Sequence, residues 1–218
     1  NTFNGGITDL SNPNSEHSSD ENDKVDYSDS VSPIVANLTS GTVVIGGSVT
    51  DTLYNIEHVV GTDGNDSFTG NADNNSLIGG AGDDRLVGGL GAERYEFNRG
   101  DGHDTIRDRD VYGSSVDQIV LGEGISQGEL SLRREGNHLV IMIGGPDSGD
   151  SIVIEEGYVN SQYQIEEIVL SDGSTVSPQS LPVLSSAESD ELRGGYFADV
   201  LDGREGDDSL YGEGGDDT

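Results

Sequence analysis

The feature that limits this chain most is a nine-residue period. From residue 61 the sequence divides into GTDGNDSFT (61–69), GNADNNSLI (70–78), GGAGDDRLV (79–87) and GGLGAERYE (88–96). After a two-residue slip, RGDGHDTIR (99–107) continues the pattern. Glycines gather in the first four positions of each unit. The sixth position holds Asp66, Asn75, Asp84, Glu93 or Asp104, and the eighth holds Phe68, Leu77, Leu86, Tyr95 or Ile106. A short fixed period marks stacked repeats, and it decides the fold class before any single residue is considered.

A second array follows near the C-terminus: SSAESDELR (185–193), GGYFADVLD (194–202), GREGDDSLY (203–211) and GEGGDDT (212–218). Two weaker matches precede the first array, SSDENDKVD (18–26) and GGSVTDTLY (46–54), where the acid-x-apolar core recurs as Asp23/Val25 and Asp51/Leu53. One such triplet in an acidic chain means nothing. Consecutive units with glycines in phase mean a great deal.

Positions seven to nine can form a short strand whose eighth residue points inward while its neighbours point out. Positions one to six then make a turn, where glycine permits positive φ and close backbone approach. Two nonapeptides complete one coil, so each turn stacks on the turn two units away, at about the 4.8 Å strand spacing. Stacking also brings carboxylates together. The chain carries 42 Asp plus Glu against 10 Lys plus Arg, a formal net charge of −32, and only 31% of its residues are hydrophobic. Such a chain either stays disordered or is neutralised by something cationic. Ca²⁺ accepts six to eight oxygen ligands in irregular geometry, which carbonyls of a glycine turn plus aspartates can supply. With no Cys and no paired histidines among His17, His58, His103 and His138, zinc and copper have no suitable ligands.

Several Ca²⁺ ions are therefore expected. In the first array the ligand residues are Gly61, Asp63, Gly64 and Asp66, then Gly79, Ala81, Gly82 and Asp84, then Asp101 and Asp104. In the second array they are Asp190, Asp199, Gly203, Glu205, Gly206, Asp208, Gly212, Gly214 and Asp217. On the opposite side, 70–75 stacks on 88–93. There Asn75 lacks a charge, Glu93 is longer and Asp73 replaces a glycine, so a weaker or empty site is expected.

These nonapeptides resemble the RTX (repeats-in-toxin, haemolysin-type) calcium-binding repeat. The segments DKVDYSDSVSPIVANLTSGTV and DTLYNIEHVVGTDGND (51–66) resemble the stretch that leads into such arrays. FNRGDGHDTIRD (97–108) through YQIEEIVLSDGSTV (163–176) resembles the haemolysin-type calcium-binding-related domain. The resemblance implies an all-β fold, a right-handed parallel β-roll in two arrays with a small β capping segment between them. It also implies a calcium-binding structural module of a secreted bacterial protein, extracellular or on the bacterial cell surface, that partners type I secretion machinery and folds on meeting extracellular calcium.

The segments divide as a lead-in (1–60), a first roll (61–107), a β-rich capping domain (108–180) and a second array (181–218). Within the capping domain DQIVL (117–121), ELSLRR (129–134), HLVIMI (138–143), DSIVIEE (150–156) and QIEEIVL (164–170) read as strands. The turn signal EGN (135–137) makes ELSLRREGNHLVIMI a hairpin. SPQSLPVLSS (177–186) reads as a linker. The pattern is still running at Thr218, so the chain reads as a piece of a longer protein.

No catalytic constellation is recognisable, and the chain is not expected to be an enzyme. Its negative charge disfavours nucleic acid. No apolar run approaches the roughly 20 residues that span a bilayer, so no membrane insertion is expected. An adhesin or carbohydrate-binding module is the alternative reading, against which stand the absence of Trp and the scarcity of basic residues.

Overall fold

A computed structural model describes residues 2–4, 23–110, 115–145, 149–157, 161–184, 189, 191–195 and 198–218. Its described residues form strands joined by turns and three short 3₁₀ segments. The chain alternates between two sheets, one of twelve strands and one of seven. On one face the parallel rungs are Ile34–Asn37, Ser67–Thr69, Arg85–Val87, His103–Arg107 and Asp150–Ile154. On the other they are Lys24–Asp26, His58–Val60, Ser76–Ile78, Arg94–Phe97, Gln118–Leu121 and Glu167–Val169. This is the parallel β-roll that the nine-residue period predicts.

The eighth positions build the core. Ala36, Phe68, Leu86, Ile106 and Ile154 stack in register on the first face. Val25, Val59, Leu77, Tyr95, Ile119 and Ile168 stack on the second. All belong to one buried apolar cluster. Tyr95 is core, as its position requires, at 1% exposure.

Parallel pairing crosses both ends of the expected 61–107 roll and extends from Lys24 to Val169. The added rungs of the second face keep an acid two residues before the inward apolar residue, as in Asp23/Val25, Glu57/Val59, Asp117/Ile119 and Glu166/Ile168, while those of the first face have Ile34 and Ile152 there. They lack the glycine turn, and insertions separate them, so the nonapeptide template passes over most of them. GGSVTDTLY departs from the expected repeat. Ser48–Tyr54 pairs antiparallel with Thr42–Ile45, and Asp51 accepts a hydrogen bond from the Tyr27 hydroxyl at 3.0 Å.

Hairpins cover the roll at both ends of the first face. Thr42–Ile45 and Ser48–Tyr54 continue the sheet beyond Ile34–Asn37. Leu130–Glu135 and His138–Ile143 form the expected hairpin around Gly136, with Glu135 opposite His138. Its second strand pairs with Asp150–Ile154, so it covers the last parallel rung on that face. Its first strand then meets Val183 through Leu132, and Val183–Leu184 pairs with Leu201–Asp202. The hairpin therefore hands the sheet on to the second array. The segment expected as a linker contributes this strand because Leu181 and Val183 are buried in the core. On the second face, Thr175–Val176 closes the sheet antiparallel to Glu167–Val169. In the second array Glu191–Arg193 pairs in parallel with Ser209–Tyr211, two nonapeptides on.

Stacked turns approach closely enough to make some glycines obligatory. Gly80 has φ +102°, and a Cβ there would lie 2.2 Å from the Thr62 carbonyl oxygen of the turn two units earlier. Replacing Gly80 by Ala should destabilise the roll by more than the roughly 1–3 kcal/mol of backbone strain alone. Gly128 has open space around it and no left-handed φ. Gly128→Ala should change stability by no more than about 0.5 kcal/mol. Urea unfolding of both variants in calcium checks the pair, and equal midpoints would show that the turns are not in contact.

Candidate calcium-binding turns

The sixth-position side chain folds back beneath its own turn. One oxygen of Asp66 accepts the Thr62 amide at 2.6 Å, and the other accepts the Ile34 amide of the preceding rung at 2.6 Å. The Asp66 amide in turn donates to Asp84 Oδ1 at 2.6 Å, and the Asp84 amide donates to Asp104 Oδ1 at 3.0 Å. The same ladder climbs the second face, from the Asp23 amide to Glu57 at 3.1 Å, from Glu93 to Asp117 at 2.8 Å and from Asp117 to Glu166 at 2.9 Å. In the second array the Asp199 amide donates to Asp217 Oδ1 at 3.0 Å. A glycine in first position makes room for the folded carboxylate. A Cβ at Gly79 would lie 2.0 Å from Asp84 Oδ2.

A second ladder runs the opposite way through the fifth positions. Asn65 Oδ1 accepts the Asp83 amide at 3.1 Å, and Asp83 Oδ1 accepts the His103 amide at 3.1 Å. Asn74 receives Ala92 and Ser189 receives Asp207 in the same way. The sequence reading missed this role. The recurrence of Asn, Asp or Ser at position five was its signal.

The first-array residues expected as ligands come together. Asp66, Asp84 and Asp104 are each 2% exposed, and Asp101 is buried beside them. The Asp101 carbonyl accepts the Gly82 amide at 2.8 Å, which joins the turns at 79–84 and 99–104. Gly61 is buried; Gly64, Gly79, Ala81 and Gly82 line the turns with their backbones, while Asp63 faces solvent. In the second array Asp199, Gly203, Asp208, Gly212 and Gly214 are half-buried or better, and Glu205, Gly206 and Asp217 are exposed. Asp190 lies outside the described residues.

The buried carboxyl groups are electrostatically costly. Burial pushes Asp84 up to about 7, with repulsion from Asp66, Asp101 and Asp83 adding to it. Burial pushes Asp104 up to about 8, with repulsion from Asp84, Asp101 and Asp83. Asp66 and Asp101 are also raised, first by burial. Among the described residues no Lys or Arg pairs with this cluster. Arg85 holds Glu155 through two bonds of 2.8 and 3.1 Å, Arg94 holds Glu96, and Arg99 holds Glu129. Asp84 Oδ2 is buried without any hydrogen-bond donor. A donor set of carboxylate and carbonyl oxygens alone fits a hard dication such as Ca²⁺.

The turn at 70–75 is different. Asn75 Nδ2 donates to Asn71 Oδ1 at 3.1 Å, and Asn71 Nδ2 donates to Asp73 Oδ2 at 3.1 Å. These side chains satisfy one another with amide hydrogens, and the sixth position carries no charge.

Residues 60–92 and 185–218 match the RTX calcium-binding nonapeptide repeat, and residues 138–179 match the haemolysin-type calcium binding protein related domain. The iron-regulated protein FrpA of Neisseria meningitidis serogroup C is 35% identical over 119 residues. That match spans 52% of this chain and 10% of FrpA. The extracellular lipase LipA from Serratia marcescens aligns over 78% of this chain and 32% of its own, at 16% identity. Its TM-score of 0.21 is too low to bear on the fold. With nonapeptides in both arrays and the related domain between them, the chain belongs to the RTX, haemolysin-type calcium-binding repeat proteins, whose repeats bind Ca²⁺ at several sites.

Proposed function

We propose that this chain is a calcium-responsive structural module of a secreted bacterial RTX protein and performs no catalysis itself. The observation that carries the reading is the column Asp66, Asp84, Asp104, buried, mutually repelling and without a paired cation among the described residues. In low calcium, as in a cytosol, this column opposes folding. The chain then stays open enough to pass a type I secretion machine. Extracellular calcium neutralises the column and traps the folded roll outside, because a ligand that binds only the folded state adds its binding free energy to folding. Asp66, Asp84, Asp101 and Asp104 would hold ions in the first array, with carbonyls of the turns around Gly61–Gly64 and Gly79–Gly82. Asp199, Asp208 and Asp217 would do so in the second.

Circular dichroism during a calcium titration tests the reading. A β signal should rise cooperatively with a midpoint on the order of 10⁻⁴–10⁻³ M, as in other extracellular modules. Sodium at equal ionic strength should not produce it. A full β signal in chelator would overturn the proposal. Asp84→Asn should bind fewer ions and shift the midpoint upward by about 10-fold or more. Glu123→Gln, at an exposed position, should leave both unchanged.

The calcium-free fold should also respond to pH. Asp84 and Asp104 keep protons in the folded chain up to about 7 and about 8, against about 4 in an unfolded one. The folded state therefore binds more protons across that interval, and its stability falls as pH rises through it. In chelator, lowering the pH from 8 to 5 should increase the β signal. A decrease would contradict the burial of these groups.

A further inference from the structure

Three more carboxylates, two before strands of the second face and one after a strand of the first, belong to neither matched segment, since Glu93, Asp108 and Asp117 all fall between residues 92 and 138. Glu93 precedes the strand Arg94–Phe97, Asp117 precedes Gln118–Leu121, and Asp108 follows His103–Arg107. Each is 1% exposed. One oxygen from each lies within 4.8 Å of the others.

The hydrogen bonds around them leave a specific remainder. Asp117 Oδ1 accepts the Glu93 amide, and Asp108 Oδ2 accepts the Tyr95 hydroxyl at 2.7 Å. Asp117 Oδ2, Asp108 Oδ1 and both oxygens of Glu93 have no well-formed hydrogen bond; the Glu93 and Asp117 carboxyl groups lie close enough to share a proton, and the Arg109 amide approaches Asp108. Glycines keep the space open. A Cβ at Gly88 would strike the Tyr95 hydroxyl and approach Glu93 Cγ and Asp108 Oδ2, and one at Gly91 would meet Glu93 Oε1 and the Asp73 carbonyl oxygen. Burial holds all three carboxyl groups above the ordinary carboxylate range, with repulsion from Asp108 and Asp117 adding to it at Glu93, from Asp117 at Asp108, and from Glu166 at Asp117.

We infer that Glu93, Asp108 and Asp117 form an internal binding site for one hard divalent cation, Ca²⁺, inside the roll rather than between its glycine turns. Ligands on opposite sides of Ca²⁺ are about 4.6–5.2 Å apart, so oxygens within 4.8 Å of one another fit one coordination sphere. The four orphaned oxygens are the ligands. The ion ties the last glycine-rich rung of this face to Gln118–Leu121. The inference does not depend on the glycine turns binding calcium. It replaces the weak or empty site expected for Glu93 with one built from different partners.

The test counts bound Ca²⁺ by native mass spectrometry and follows Tb³⁺ emission excited through tyrosine. Asp108→Asn should bind one ion fewer than the parent chain. Tyr95→Phe removes the phenol but no carboxylate, so it should keep the ion count and lose the emission component sensitised by Tyr95. Asp84→Asn should lower the count at the glycine turns and leave that component intact. A full ion count in Asp108→Asn, or undiminished emission in Tyr95→Phe, overturns the site and leaves a cluster that shares protons. Loss of calcium response in the turns with the Tyr95 component retained would instead overturn the proposed function and leave this site standing.

Discussion

One hydrogen bond recurs through the roll: the amide of a sixth-position residue donates to the sixth-position carboxylate of the next coil. It joins Ile34 to Asp66, Asp66 to Asp84 and Asp84 to Asp104 on one face, and Glu93 to Asp117 to Glu166 on the other. The bond requires an acceptor at each level, so it forces anionic groups into a buried column. Backbone order and charge repulsion are thereby generated by the same atoms. An amide donor offsets part of the cost of a buried carboxylate, but it carries no full charge. Arg85 and Arg94, on outward strand positions, and Arg99, in a turn, pair instead with Glu155, Glu96 and Glu129. Among the described residues no basic side chain pairs with the column.

The sequence made the inner half of this arrangement legible. Phe68, Leu77, Leu86, Tyr95 and Ile106 were readable as core because a period of nine places one inward residue per strand. The hairpin at Leu130–Ile143 was readable from alternation and a turn signal. The rungs at His58–Val60, Gln118–Leu121 and Glu167–Val169 were harder to see. They keep acid-x-apolar, but that triplet alone is common in an acidic chain, and it recurs misleadingly as Asp51/Leu53 in an antiparallel strand.

Candidate ligands divide along the same line. Glycine turns announce Asp66, Asp84 and Asp104 because stacked coils repeat them at fixed spacing. Asp108 has no such announcement. It becomes a neighbour of Glu93 as Tyr95, a phenol where the other units of the first array have Phe68, Leu77, Leu86 and Ile106, reaches across the interior to its carboxylate. The signal was therefore the phenol. A hydroxyl at a buried apolar position needs a partner, and the partner here is an acid from outside the period.

Two kinds of interior meet in this chain. Around residues 130–154 the core is conventional: Leu130, Ile141, Ile143, Ile152 and Ile154 are almost wholly buried, and the antiparallel hairpin needs no ion to satisfy its backbone. In the glycine turns, the groups removed from water are carboxylates. In the second array Leu192 joins the buried core at 5% exposure, and turn hydrogen bonds such as Gly214 to Gly195 tie one coil to the next. The two interiors thus differ in what they remove from water: apolar side chains where the hairpin packs, and carboxylates where glycine and aspartate define the coil.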